Sequence, residues 1–235
     1  MKHLHTSLKQ IILLITIVLF ANCTNPSQST TQTEQPKTDN LVEMDENSIF
    51  DGETLDGWQA TQFGPHGPVT VSDGKIVLNF GDGCTGITST RDIPTMNYEI
   101  SLEAQRTSGQ DFFCGMTFPV NDEFCSLIVG GWGGSVVGLS NINNEDASNN
   151  ETKVVKSFEN NTWYTITLRV TSQKIEAWID NEKLVDYAYK AGELSIRSEM
   201  NLSKPLGICS WKTVAELRNI RMERVDFQSA AHADL

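Results

Sequence analysis

Carboxylates dominate the chemistry this chain could do: 30 Asp and Glu stand against 18 Lys and Arg and four His. Beyond the first few residues histidine occurs only at His66, in a Gly-Pro loop, and His232, near the end. That scarcity argues against a Ser-His-Asp arrangement or a multi-histidine metal site. Two carboxylates alone can run glycosidic chemistry, one as acid and one as base or nucleophile. Asp111, which opens the most apolar stretch, residues 111–140, and Asp122 and Glu123 within it are the catalytic candidates. The plain alternative for each is a solvated turn or strand end on an acidic surface. Glu99 and Glu103 alternate outward on one strand, and Glu99 is a candidate for contact in the same groove. Trp132 stands between Gly130-Gly131 and Gly133-Gly134, which leaves backbone bare beside a large flat ring. Trp132 and Trp211 are the candidate ligand contacts, because an indole offers an apolar face for a sugar ring and a polar edge. A sheet corner with a packed indole is the competing reading of Trp132.

These side chains must be carried by strands. Val69 and Val71, the Ser72-Asp73-Gly74 turn, then Ile76 and Leu78 alternate as a hairpin. Tyr98, Ile100, Leu102 and Ala104 alternate against Glu99, Ser101 and Glu103; Tyr164, Ile166, Leu168 and Val170 repeat the pattern. Ile175, Ala177 and Ile179 lead to a turn at Asp180-Asn181-Glu182, and the final strand changes phase at Arg218-Asn219 as a bulge would. Residues 111–140 predict a second hairpin closed by a four-residue loop, Pro119 to Asp122, since Val120 resists the positive φ of a tight two-residue turn at Pro119-Val120. That register sets Phe118 opposite Glu123 and Cys114 opposite Leu127, with Cys114 and Cys125 offset diagonally on one face, at the edge of disulfide reach. No stretch after residue 48 has a helical period, so the expected fold is one all-β sandwich.

The N-terminus reads as an address. Lys2 and Lys9 precede an apolar run at residues 11–21, too short to span a bilayer comfortably. The junction LFANC at residues 19–23 resembles a bacterial lipoprotein signal with Cys23 as the lipidated residue. Residues 24–47 have the composition of a disordered tether. The expected organisation is signal 1–23, tether 24–47, sandwich 48–226 and tail 227–235, in a protein anchored by lipid in the bacterial cell envelope. The formal charge is −12, and a signal segment carrying Lys2 and Lys9 and no acid would leave −14. Such a surface argues against nucleic acid and against anionic membranes as partners. Cys84, Cys114, Cys125 and Cys209 allow three disulfide connectivities or a set of buried free thiols. No cofactor is expected. The loop at residues 141–151 offers oxygen ligands that would suit calcium, but its spacing fits no defined calcium loop and a hydrophilic loop is the simpler reading.

The opening IFDGETLDGW at residues 49–58 resembles the start of the 3-keto-disaccharide hydrolase domain family. NYEI at 97–100, TWYTI at 162–166, IEAWIDNEKLVDY at 175–187 and LRNIR at 217–221 are similar to further family motifs in the right order. The resemblance implies a concanavalin A-like jelly roll that hydrolyses oxidised disaccharides or related glycosides outside the cytoplasm, with carbohydrate as its ligand. The chemical motifs match less well. FCSLIVG at 124–130 replaces a stretch in which the family carries a carboxylate and a glutamine, and GICSW at 207–211 replaces one with an acid and a histidine. A non-catalytic carbohydrate-binding or interaction module on the same fold is therefore the alternative.

Overall fold

The computed structural model describes residues 45–225, and these form two seven-stranded antiparallel sheets packed face to face. The signal segment, Cys23 and most of the expected tether lie outside the described residues. One sheet runs, in spatial order, β1 (Trp58–Ala60), β4 (Cys84–Ser89), β13 (Gly207–Trp211), β6 (Cys114–Val120), β7 (Glu123–Gly130), β8 (Val136–Ser140) and β9 (Val154–Val155). We call it the front sheet. The back sheet runs β12 (Glu182–Tyr187), β11 (Ile175–Ile179), β10 (Tyr164–Val170), β5 (Tyr98–Ser108), β14 (Val214–Arg224), β3 (Lys75–Leu78) and β2 (Val69–Ser72). Sequence neighbours such as β13 and β14 lie in opposite sheets, which is the crossover wiring of a jelly roll.

Side-chain alternation builds the core. Tyr98, Ile100, Leu102 and Ala104 of β5 face Met116, Phe118, Leu127 and Leu139 of the front sheet, all essentially buried. The Tyr98 hydroxyl donates to the Pro119 carbonyl at 2.6 Å, which satisfies its one polar group in the apolar interior. Asp73 and Gly74 both take positive φ, so β2 and β3 close as the tight hairpin expected. The bulge also falls where the phase change predicts, with the β14–β5 register shifting between Arg218 and Arg221 and Asn219 at φ 52°.

The β6–β7 hairpin differs from the sequence expectation. Its turn is two residues, Asn121-Asp122, so that Val120 pairs with Glu123, Phe118 with Cys125 and Cys114 with Val129. Asn121 supplies the positive φ (53°) that a tight turn demands, and Asn tolerates it where Val120 would not. Cys114 and Cys125 are then separated by about 13 Å along the ladder, beyond disulfide reach. All four described cysteines are free and buried, and burial pushes the Cys114 and Cys125 thiols up to about 12, leaving them inert.

Candidate functional site

The outer face of the front sheet is where chemistry-bearing side chains converge. Its floor has little side chain of its own, because Gly86, Gly115, Gly138 and Gly207 occupy outward positions on β4, β6, β8 and β13. Gly115, Gly138 and Gly207 let other segments lie directly on the sheet, while Gly86 makes room for Cys209 on the neighbouring strand. A Cβ at Gly115 would sit 2.8 Å from the Phe112 ring, and one at Gly207 would sit 2.6 Å from the Ser203 carbonyl. Phe112 and the 3-10 turn Ser198–Ser203 thus cover much of the face. What remains is a cavity of about 250 Å³, just below the ~300–1,000 Å³ typical of ligand sites.

Ser126 of β7 and Ser140 of β8 are cross-strand partners on the floor beside Ile128. The Ser126 hydroxyl shares a 2.9 Å hydrogen bond with Thr117, and that of Ser140 donates to Asn141 Oδ1 at 2.9 Å. Trp132, Trp211 and Phe112 form aromatic walls, and Asp111, Arg197, Glu199 and Met200 complete the lining. Trp211 ends β13, and its backbone N–H donates to the Phe112 carbonyl at 3.1 Å, tying two walls together. Trp132 is 40% exposed. Its φ of 49°, with Gly130, Gly133 and Gly134 also at positive φ, marks a tight turn that pushes the indole outward. A non-glycine residue held there costs about 1–2 kcal/mol, a strain that clusters at ligand sites.

Asp111 stands at the entrance to β6. Its Oδ1 accepts from Phe112 N–H at 2.8 Å, and its Oδ2 has a long 3.5 Å contact from Gly133 N–H. Beneath it lies Arg106, 7% exposed, whose guanidinium donates to the Asn160 Oδ1 (2.7 Å), Phe158 carbonyl (2.8 Å) and Asp111 carbonyl (3.3 Å). Glu199 is clamped differently. Burial is the largest single influence and works to raise its pKa, but the 2.5 Å hydrogen bond and charge of Arg197, with hydrogen bonds from its own backbone N–H and from Ser198, together hold the carboxyl below its usual range. Arg197 also donates to Asp146 Oδ2 at 3.1 Å, so this cation is shared by two acids.

Of the residues singled out from sequence, Asp111, Trp132 and Trp211 meet at this cavity. Asp122 is exposed in the hairpin turn and Glu123 accepts from Gly192 N–H at 3.1 Å. Both lie at the far end of β6 and β7, about 24 Å from Asp111 over the seven steps of β7 at ~3.4 Å per residue, too far for a carboxylate pair across one glycosidic bond. Glu99 lies on the outer face of the back sheet, paired with Arg169 at 2.7 Å. Trp163 and Trp178 share that face, the first under Arg218 and the second under Arg169 and Lys183. In the 141–151 loop Asp146 Oδ1 accepts from Ser148 and Asn149 while Asn150 donates to three backbone carbonyls. Among the described residues no group of three or more His, Cys, Asp or Glu is placed to hold a metal ion. Sequence reasoning missed Arg197, Glu199 and Met200, which sit in a stretch without strand alternation.

The model of the 3-keto-alpha-glucoside-1,2-lyase-like domain matches residues 45–223. The chain belongs to that family. No curated protein matches it. Among solved structures this lyase-like domain is similar to the Crh5 transglycosylase in complex with NAG, at TM-score 0.52 and 16% identity over 74% of this chain and 82% of that one. It is also similar to a Bacillus licheniformis beta-glucanase, at TM-score 0.52 and 9% identity over 75% and 95%. At such identities the likeness shows the fold alone, a concanavalin A-like jelly roll. Family and fold together make this a carbohydrate-active domain. The stretches FCSLIVG and GICSW both reach the cavity, the first through Ser126 and Ile128 and the second through Trp211.

Proposed function

We propose that the cavity binds a short oxidised glycoside between Trp132 and Trp211 and that Asp111 is the base that cleaves it. The observation that carries this reading is the meeting of two indoles and a carboxylate in one cavity of about 250 Å³. A glycosidase of the usual kind needs a second, protonated carboxyl as general acid. Glu199 is a poor one, because Arg197 holds it ionised. A 3-keto-glycoside does not need that acid at the first step. Its ketone acidifies the neighbouring C2 proton, so one base can remove it while the C1–C2 double bond forms and the C1–O bond breaks. The departing alkoxide takes up the proton that Asp111 now carries, directly or through water, and later addition of water to the double bond would complete a net hydrolysis.

The second reading is a binding module without turnover. It is favoured by the cavity floor, where Ser126, Ile128 and Trp211 stand in stretches that carry acid, glutamine and histidine in the resembling family. Incubating the purified protein with a 3-keto-disaccharide separates the two. The enzymatic reading expects released monosaccharide from the wild type and its loss in Asp111→Asn with binding retained. Saturable binding with no release from the wild type would establish the module instead.

Export and lipid anchoring are part of the same proposal. Lys2, Lys9, the apolar run at 11–21 and the LFANC junction support lipidation at Cys23. The geometry of the domain is compatible with an anchor. Asp45, where the described chain begins, pairs with Arg221 on the back sheet, while the cavity opens on the front sheet.

A further inference from the structure

Three sulfur atoms meet behind the cavity. Cys84 opens β4 and Cys209 lies on the adjacent β13, where Trp211 pairs with Cys84 and Cys209 with Gly86. This register puts both thiols on the outer face of the front sheet as diagonal neighbours. The 3-10 turn Ser198–Ser203 brings Met200 down onto them. Met200 Sδ is 3.9 Å from Cys84 Sγ and 3.7 Å from Cys209 Sγ. All three residues are at most 3% exposed, sheathed by Phe63, Phe112, Ile196 and Trp211.

We propose that Cys84, Cys209 and Met200 form a three-sulfur site for a soft monovalent cation, Cu(I), independent of the sugar chemistry. A trigonal site with metal–sulfur bonds of ~2.3 Å spans sulfur pairs about 4.0 Å apart, and the two separations from Met200 are 3.7 and 3.9 Å. Two thiolates and one thioether are the donor set that selects Cu(I) over harder ions. Zinc would want a fourth ligand, and the residues packed on the cluster, Phe63, Phe112, Ile196 and Trp211, carry no ligating group. Binding replaces two thiol protons, released to solvent, by one Cu(I) with no change of oxidation state. The bound cluster carries one negative charge, and Arg197, three residues before Met200, is within Coulombic reach of Cys84. Because Met200 also lines the cavity, an ion here would pin the covering turn to the sheet. The competing fate of the two thiols is a disulfide, which would require a two-electron oxidant and would draw the sulfurs from contact to about 2.05 Å.

The test uses the whole reduced protein under anaerobic conditions, titrated into Cu(I) held by bicinchoninate. The wild type is expected to withdraw one equivalent of copper and to develop near-ultraviolet thiolate-to-Cu(I) absorption. Met200→Leu keeps the volume and removes the sulfur, so it should fold and bind at least tenfold more weakly. Cys84→Ser should lose the absorption, and Cys125→Ala, which removes a thiol from the core, should keep the full equivalent. A wild type that withdraws no copper overturns the proposal. So does a Met200→Leu variant of equal affinity, or an intact mass before reduction that shows Cys84 and Cys209 joined.

Discussion

Replacing Gly207 with Ala probes how the cavity is made. Gly207 begins β13, directly under the 3-10 turn that supplies Glu199 and Met200 to the lining. An added Cβ would stand 2.6 Å from the Ser203 carbonyl oxygen, 2.7 Å from its Cβ and 2.8 Å from its Cα. Two of those atoms are backbone and cannot rotate away. Ordinary carbon contacts are about 3.5–4.0 Å, so the turn must retreat by about 1 Å or the strand must bend. Overpacking of this kind costs about 1–3 kcal/mol, and at about 2–4 °C per kcal/mol for a domain of this size the melting temperature should fall by roughly 2–12 °C. Hydrogen exchange should quicken across residues 196–206, and sugar affinity should drop at least tenfold as Glu199 and Met200 shift. Gly74→Ala is the control. It has φ 75° with nothing within 4 Å of a new Cβ, so it costs about 1–2 kcal/mol through backbone strain alone and should leave sugar affinity intact. A Gly207→Ala protein with wild-type melting, exchange and affinity would refute the idea that this turn is pressed onto a bare strand.

Arg106→Leu strands three carbonyl acceptors, one of them on Asp111, and should cost about 3 kcal/mol in denaturant unfolding. A loss below about 1 kcal/mol would deny Arg106 its bracing role. Acid stability should depend on Glu176, 3% exposed and salt-bridged to Lys174 and Lys183 at 2.8 and 2.7 Å. Burial works to raise its pKa and the two lysines outweigh that, leaving it lowered in the folded state. The stabilisation is therefore complete above the unfolded value near 4.3 and is lost as pH falls through the lower folded value, so Glu176→Gln should flatten the acid limb of a stability–pH curve. Cys23→Ser should move the protein out of the membrane fraction and end acyl labelling; a variant that pellets and labels like wild type would rule out the lipid anchor.

Much of the sandwich could be read from alternation, and the reason is visible in β5. Tyr98, Ile100, Leu102 and Ala104 face the core, while Glu99 and Glu103 pair with Arg169 and Arg218 outside. The front sheet was harder to read because both its faces are covered, so β6 and β8 are buried at every position and lose their period. The hairpin register slipped for a local reason, the willingness of Asn121 to take positive φ. Asp111, Trp132 and Trp211 were legible as residue types beside glycine and apolar sequence. Arg197, Glu199 and Met200 were not, since their place depends on how the turn before β13 folds back over Gly207, where Ser203 lies against the bare strand. Nothing in residues 196–200 themselves marks a cavity wall.

The most direct test of the sugar cavity follows the indole N–H signals by heteronuclear NMR while a 3-keto-disaccharide is added. Trp132 and Trp211 line the front cavity, and Trp163 and Trp178 lie under cations on the back sheet, so one titration samples both faces. Binding at the cavity requires Trp132 and Trp211 to shift saturably with one common dissociation constant while Trp163 and Trp178 stay still. Saturation with Trp132 and Trp211 unmoved, or with only the back-sheet indoles responding, would contradict it.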